Sequence, residues 1–315
     1  MTQPSDGPAA TGVPTCFRHP DRETWIRCQR CEKSICPDCM RDAAVGFQCP
    51  DCVKEASKGS RQNRALYGGE RSADPRLTTF VLMGISAVVW LTISATGGGS
   101  SRLAALLPLT PSGRCDLLDG SGRYYPGVVD ERSCAMLPGT SWHAGVADGA
   151  WWQMVTNMFT HVDLWHVALN MMALFIFGPA LERIMGRVRF LAVYFVGGLA
   201  ASVTVFWLSN PDSGTLGASG ALYAVLGALI VTFKKARLDT QWLMQNLALG
   251  VLITVVGWRY ISWQGHLGGL LGGMAAAAII AYAPKSQRSV VQWAGLTLVA
   301  AVLLGLAVVR VGTLA

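Results

Sequence analysis

The sequence predicts an all-α polytopic membrane protein with seven transmembrane helices, preceded by a small zinc-stabilised cytoplasmic domain. Three observations predict it. Residues 77–315 are a series of long apolar runs broken by short charged loops. Charged residues make up only 14% of the 315-residue chain, against about a quarter in an ordinary soluble domain. Residues 1–76 are polar instead and carry seven of the nine cysteines, most of them in closely spaced pairs. The chain accordingly divides into a disordered tail (1–15), a double-metal module (16–53), a basic linker (54–76), a membrane core (77–283), and a final span with its tail (284–315).

Crossing the hydrocarbon core takes about 20 mostly apolar residues. Seven stretches qualify: 77–96, 162–181, 188–209, 217–233, 242–258, 263–282 and 290–309. Lys and Arg in the short loops set the orientation. They cluster before the first span (Lys54, Lys58, Arg61, Arg64, Arg71, Arg76), between the second and third (Arg183, Arg187, Arg189), after the fourth (Lys234, Lys235, Arg237) and after the sixth (Lys285, Arg288). The alternate loops are poor in base. This pattern puts the N-terminus in the cytoplasm and the C-terminus outside, in a multi-pass protein of the cell membrane. No apolar signal-peptide core interrupts residues 1–76, in keeping with a cytoplasmic N-terminal segment. The net charge of +7 follows topology and not a basic-aromatic platform, so nucleic acid is not an expected partner.

The first outer loop, about 97–160, is too long for a simple connector. It holds Trp151 and Trp152, suited to the membrane interface, and the two remaining cysteines, Cys115 and Cys134. On the oxidising side these two are candidates for a disulfide, which is favoured over two free thiols.

The cytoplasmic cysteines form a regular series: Cys16-x2-His19, Cys28-x2-Cys31, Cys36-x2-Cys39 and Cys49-x2-Cys52. Four pairs give eight ligands, enough for two tetrahedral zinc ions with none left over and no position open to water. The zinc is therefore structural, and the segment has too few large apolar residues (Phe17, Trp25, Ile26, Ile35, Phe47) to fold without it. The order of pairs resembles cross-braced modules of the B-box kind. That resemblance implies Cys16, His19, Cys36 and Cys39 on one ion, and Cys28, Cys31, Cys49 and Cys52 on the other. Sequential pairing is the alternative that spacing leaves open. A protein partner is the ordinary role for such a module, and the basic linker suits the inner leaflet.

Three polar clusters interrupt the apolar half. They are His161-x4-His166-x3-Asn170 in the second span, Gly217-Ala218-Ser219-Gly220 followed by Tyr223 in the fourth, and Gly265-His266-Leu267-Gly268-Gly269 in the sixth. Polar groups at such depth are costly unless they face the bundle or water. Each cluster alone has an ordinary explanation in helix packing. Together they lie at the outer ends of three spans that run in the same direction, at comparable depth. This set suits acyl transfer, with Ser219 as nucleophile and His266 as base. The His166 ring, the Asn170 amide and the Ser219 N–H are candidate oxyanion donors. No Asp or Glu lies near, so a dyad is expected and catalysis calls for no cofactor.

With these residues the chain resembles the rhomboid family of intramembrane serine proteases. The resemblance rests on HxxxxHxxxN, GxSG and GHxxG, with Gly178-x3-Glu182-x3-Gly186 beside them, and covers about residues 77–283. It implies a six-helix rhomboid core with a seventh transmembrane helix added at the C-terminus. It implies a Ser219–His266 dyad, His166 and Asn170 at the oxyanion site supported by His161 and Gly217, and Tyr223 stacked on His266. The implied partners are transmembrane protein substrates within the lipid bilayer. Where many members carry a Trp-Arg pair near the end of the first loop, this chain reads Trp151-Trp152-Gln153. The rival expectation is a pseudoprotease that binds membrane-protein clients without cutting them, a class that typically lacks Ser or His of the dyad.

Overall fold

The computed structural model describes residues 12–59, 64–119 and 123–314. The chain separates into two compact units, Met1–Asn63 and Arg64–Ala315. Most of the expected disordered tail, residues 1–11, lies outside the described residues.

The first unit is built from short pieces. Strands β1 (Thr15–Cys16) and β2 (His19–Glu23) pair antiparallel, as do β3 (Arg41–Asp42) and β4 (Phe47–Gln48). Helix α1 (Pro50–Gly59) follows and carries the unit beyond the expected boundary at residue 53. The tail also ends sooner than expected, because Thr15 pairs with Glu23. The buried core consists of six of the seven cysteines, all but Cys31, and one large aliphatic, Ile35, whereas Trp25 is 74% exposed. Apolar burial of that size cannot offset the entropy of ordering the chain.

The second unit is a helical membrane bundle. Among the described residues six helices are long and apolar enough to cross a bilayer: α2 (Leu77–Ala95), α6 (Leu164–Met185), α7 (Arg187–Leu208), α8 (Ser219–Ala236), α10 (Trp263–Tyr282) and α11 (Arg288–Leu314). The remaining expected span, 242–258, is a shorter helix, α9 (Gln241–Val256), of 16 residues. At about 1.5 Å per residue it reaches only ~24 Å. It buries only Leu243 and Thr254.

Helices α7, α8 and α10 form the centre, with half or more of each span buried, against 11% for α11. Small residues make that possible. Gly273 lies on the Ala224 backbone, Gly269 on the Gly220 carbonyl, and a side chain at Gly227 would stand 2.7 Å from the Leu270 carbonyl. At the opposite end from Ser219, Glu182 is fully buried, accepts from the Ser72 hydroxyl and pairs with Arg187 at 3.5 Å. There too, fully buried Gln292 of α11 donates to the carbonyls of Ile280 (2.7 Å) and Tyr67 (3.1 Å) and accepts from Arg189 Nε (2.8 Å).

The long first loop is folded. It contains α3 (Arg102–Leu106), α4 (Glu131–Ala135) and α5 (Gln153–Thr156), together with a sheet of order β6-β5-β7. Strand β5 (Arg114–Leu117) pairs antiparallel with β6 (Tyr124–Tyr125) and β7 (Thr140–His143). A Cys115–Cys134 disulfide joins β5 to α4. Gln153 is buried, accepts from Thr110 N–H and donates to Ala144 C=O, each at 3.0 Å. The Trp152 indole donates to Leu106 C=O at 3.0 Å. Neutral hydrogen bonds from Trp152 and Gln153 thus hold the end of the loop to its own earlier turns.

Candidate functional site

The loop before α8 is held from two sides. Leu109 and Thr215 exchange backbone hydrogen bonds of 2.8 Å, tying it to the folded first loop. Gly217 N–H donates to Asn157 C=O at 2.9 Å, and Ala218 N–H donates to His161 Nε2 at 3.3 Å. These contacts deliver Ser219 as the first residue of α8. No side chain caps this helix, so its first backbone N–H groups remain available at the start of α8.

Gly217 has φ +114°, which a side-chain-bearing residue adopts only under strain. A Cβ there would stand 2.6 Å from His166 Nε2. The absent side chain lets the His166 ring come down onto the backbone beside Ser219. His166 and Asn170 share one face of α6, and the Asn170 amide donates to the His166 carbonyl at 2.9 Å. One of its two protons is thereby used and one remains free.

A cavity of about 360 Å3 opens at this end of the bundle. It is lined by Ser219, His266, His166, Asn170, Gly217 and Tyr223, from α6, α8 and α10. The sequence-expected residues therefore converge, with one exception. His161 is fully buried, does not line the cavity, and holds the loop through Ala218 N–H while its Nδ1 lies 3.3 Å from Phe159 C=O. Its ring meets that of His166 edge-on at 5.0 Å.

The Tyr223 ring stacks on His266, 4.1 Å between centroids and 17° from parallel. A residue that sequence reasoning missed completes the surroundings. Thr254 of α9 places its Oγ1 2.8 Å from His266 Nδ1 and 3.2 Å from the Tyr223 hydroxyl, and donates to Gly250 C=O at 2.7 Å. It lies in the run Leu252-Ile253-Thr254-Val255-Val256, where a lone threonine gives no signal of its own.

In the first unit the eight expected ligands fall into two groups: Cys16, His19, Cys36 and Cys39, and Cys28, Cys31, Cys49 and Cys52. Within each, all ligand atoms lie within 4.8 Å of one another. This is the cross-braced grouping and not the sequential one. His19 Nδ1 lies 3.3 Å from Cys36 Sγ and 3.4 Å from Cys39 Sγ, and the Cys31 and Cys49 sulfurs are 3.7 Å apart. A tetrahedron with Zn–S bonds of about 2.3 Å has S–S edges of about 3.8 Å and S–N edges of about 3.6 Å. Backbone N–H groups of Cys49 and Cys52 donate to the sulfurs of Cys28 and Cys49 at 3.2 and 3.3 Å, as supporting bonds to thiolates would. The two groups are fit to hold metal ions.

Comparison with known proteins adds the lineage. Residues 148–283 match the Rhomboid domain. The chain is 33% identical over 139 residues to the putative rhomboid protease YdcA of Bacillus subtilis, covering 42% of this chain and 69% of that protein. It is 35% identical over 140 residues to the rhomboid protease GluP of the same bacterium, covering 43% of this chain but 27% of that protein. A third relative is the mitochondrial presenilin-associated rhomboid-like protein A of Danio rerio, 32% identical over 135 residues, covering 38% and 35% of the respective chains. The Rhomboid match takes in Ser219, His266, His166 and Asn170, and leaves the first unit and α11 outside it.

Proposed function

The chain belongs to the rhomboid family, and from that premise we propose that it is a serine endopeptidase cutting transmembrane segments of other proteins by a Ser219–His266 dyad. One observation carries the reading. Ser219, at the uncapped start of α8, and His266, stacked on Tyr223, line the same cavity at one end of a membrane bundle.

The chemistry follows from the groups present. Ser219 Oγ attacks the substrate carbonyl while His266 Nε2 takes its proton. The oxyanion accepts hydrogen bonds from the backbone at the start of α8, from His166 and from the free Asn170 amide proton. The positive end of the α8 dipole favours the same charge. As the tetrahedral intermediate collapses, His266 returns the proton to the leaving amine, and water then releases the acyl group by the same steps. A substrate helix keeps its carbonyls engaged, so the segment cut must unwind locally.

The basic residues Arg183, Arg187, Lys234, Lys235, Lys285 and Arg288 stand at the far ends of the helices that carry the site, or just beyond them. That separation supports a cytoplasmic N-terminus, an outer C-terminus and cleavage near the outer face of a cell membrane. The two Cys/His groups of the first unit would hold one zinc ion each. Zinc there would supply structure and no reactive site, because all four positions are taken by protein. The division into a zinc module, a basic linker, a six-helix protease core (77–283) and an added seventh helix (284–315) belongs to the same proposal, with the module's expected bounds of 16 and 53 moved out to Thr15 and Gly59.

The test is cleavage of a single-span model substrate by the purified full chain in detergent. Wild-type protein is expected to cut, and Ser219→Ala and His266→Ala are each expected to abolish cutting. Undiminished cleavage by Ser219→Ala would overturn the mechanism, and an inactive wild type that still captures the substrate would favour client binding without proteolysis.

A further inference from the structure

His266 is the base in the reading above, and no carboxylate in the cavity wall orients it. Its orientation has another source on the page. A threonine hydroxyl carries one proton and can accept with its remaining lone pairs. Thr254 Oγ1 donates to Gly250 C=O at 2.7 Å, the back-bond to the preceding turn that a helical threonine commonly makes. The two other groups in reach, His266 Nδ1 at 2.8 Å and the Tyr223 hydroxyl at 3.2 Å, must then donate to the threonine oxygen.

We propose that Thr254 is a positioning residue for His266, accepting its Nδ1–H and so leaving Nε2 unprotonated to serve Ser219. The proposal rests on the dyad reading. Stacking on Tyr223 fixes the plane of the imidazole, and the Thr254 bond fixes its rotation within that plane. The tautomer follows as well, because a neutral ring with hydrogen on Nδ1 has its free lone pair on Nε2. When Nε2 takes the Ser219 proton, the Nδ1–H bond to Thr254 stays in place and no proton passes to the threonine. The orienting part of an acid's role is thus filled by a neutral hydroxyl. Gly250 makes room for the arrangement, since a Cβ there would stand 2.6 Å from the Tyr223 hydroxyl. Thr254 is one of two buried residues on α9, which places this contact among that helix's few anchors.

The full chain in detergent, with a single-span substrate and a fluorophosphonate probe for Ser219, tests this directly. Thr254→Val keeps the shape and deletes the hydroxyl. It is expected to lower kcat and the labelling rate about tenfold, the scale of one lost neutral hydrogen bond, with KM within about twofold. Thr254→Ser is expected to recover most of the rate. A Thr254→Val enzyme with wild-type kcat overturns the proposal, as does a Thr254→Ser enzyme as slow as the valine variant, which would assign the effect to packing. Failure of the protease reading is seen separately, as wild-type activity no different from Ser219→Ala. In that event the 15N resonances of His266 decide: hydrogen on Nδ1 in wild type, lost in Thr254→Val, upholds the contact, and hydrogen on Nε2 in wild type overturns it.

Discussion

Gly217→Ala is the perturbation whose consequence can be followed furthest. The backbone at φ +114° would cost an alanine about 1–3 kcal/mol. The new Cβ would also meet His166 Nε2 at 2.6 Å and Cε1 at 2.7 Å. Ordinary contact begins near 3.4 Å, so the ring must retreat by roughly 0.8 Å, the difference between 3.4 and 2.6. Misplacement of a catalytic group by about 1 Å typically costs on the order of a hundredfold in rate. The expected result is therefore a fall in kcat near a hundredfold with a melting temperature lowered by only about 5 °C. The assay is cleavage of the single-span substrate in detergent beside thermal unfolding of the same preparation. His166→Ala supplies the internal check, because it removes the atoms with which the new methyl collides. The double variant should then be little slower than His166→Ala alone, a strong departure from additivity. A Gly217→Ala enzyme within threefold of wild type would refute the reasoning, as would a double variant whose two losses simply multiply.

Two further outcomes follow from buried polar groups and thiolates. Gln292→Ala removes three hydrogen bonds, one to a guanidinium, and should lower resistance of the full chain to SDS unfolding by about 2–4 kcal/mol; a loss under about 0.5 kcal/mol would deny the network a structural role. Full-length protein should carry two zinc ions by elemental analysis, and Cys36→Ser should release at least one. Equal zinc in variant and wild type would exclude Cys36 as a ligand.

The parts of this molecule that could be read in its sequence are those with a fixed spacing. The x2 spacers of the cysteine pairs and the four-residue step from His166 to Asn170 are local, and local geometry follows from the chain itself. The long apolar runs gave six helices of spanning length for the same reason. What escaped depends on contacts between segments distant in sequence. Thr254 looks like any threonine that bonds back to its own helix until α10 brings His266 beside it. His161 has the look of a site residue, yet its ring is spent on the Ala218 N–H. The three-stranded sheet of the first loop has strands of two to four residues, too short for alternation to register. Helix α9 stops at Val256, two residues short of the expected end, because Gly257 closes its last turn. The choice between cross-braced and sequential cysteine pairing is likewise a matter of tertiary proximity, which identical spacers cannot encode.

Arg189 and Gln292 stand 103 residues apart in the chain, and this bears on the order in which the protein is made. Synthesis proceeds from the N-terminus, so α7 with its buried arginine is complete while α11 has yet to be translated. Until α11 arrives, the guanidinium must keep water or lipid headgroups as partners and the end of the bundle opposite Ser219 cannot close. Docking of α11 then supplies a single amide that joins α7, the end of α10 and the segment before α2 at once. Helix α11 therefore acts as a seal on that end of the bundle, fitted only after α7 and α10 have been made.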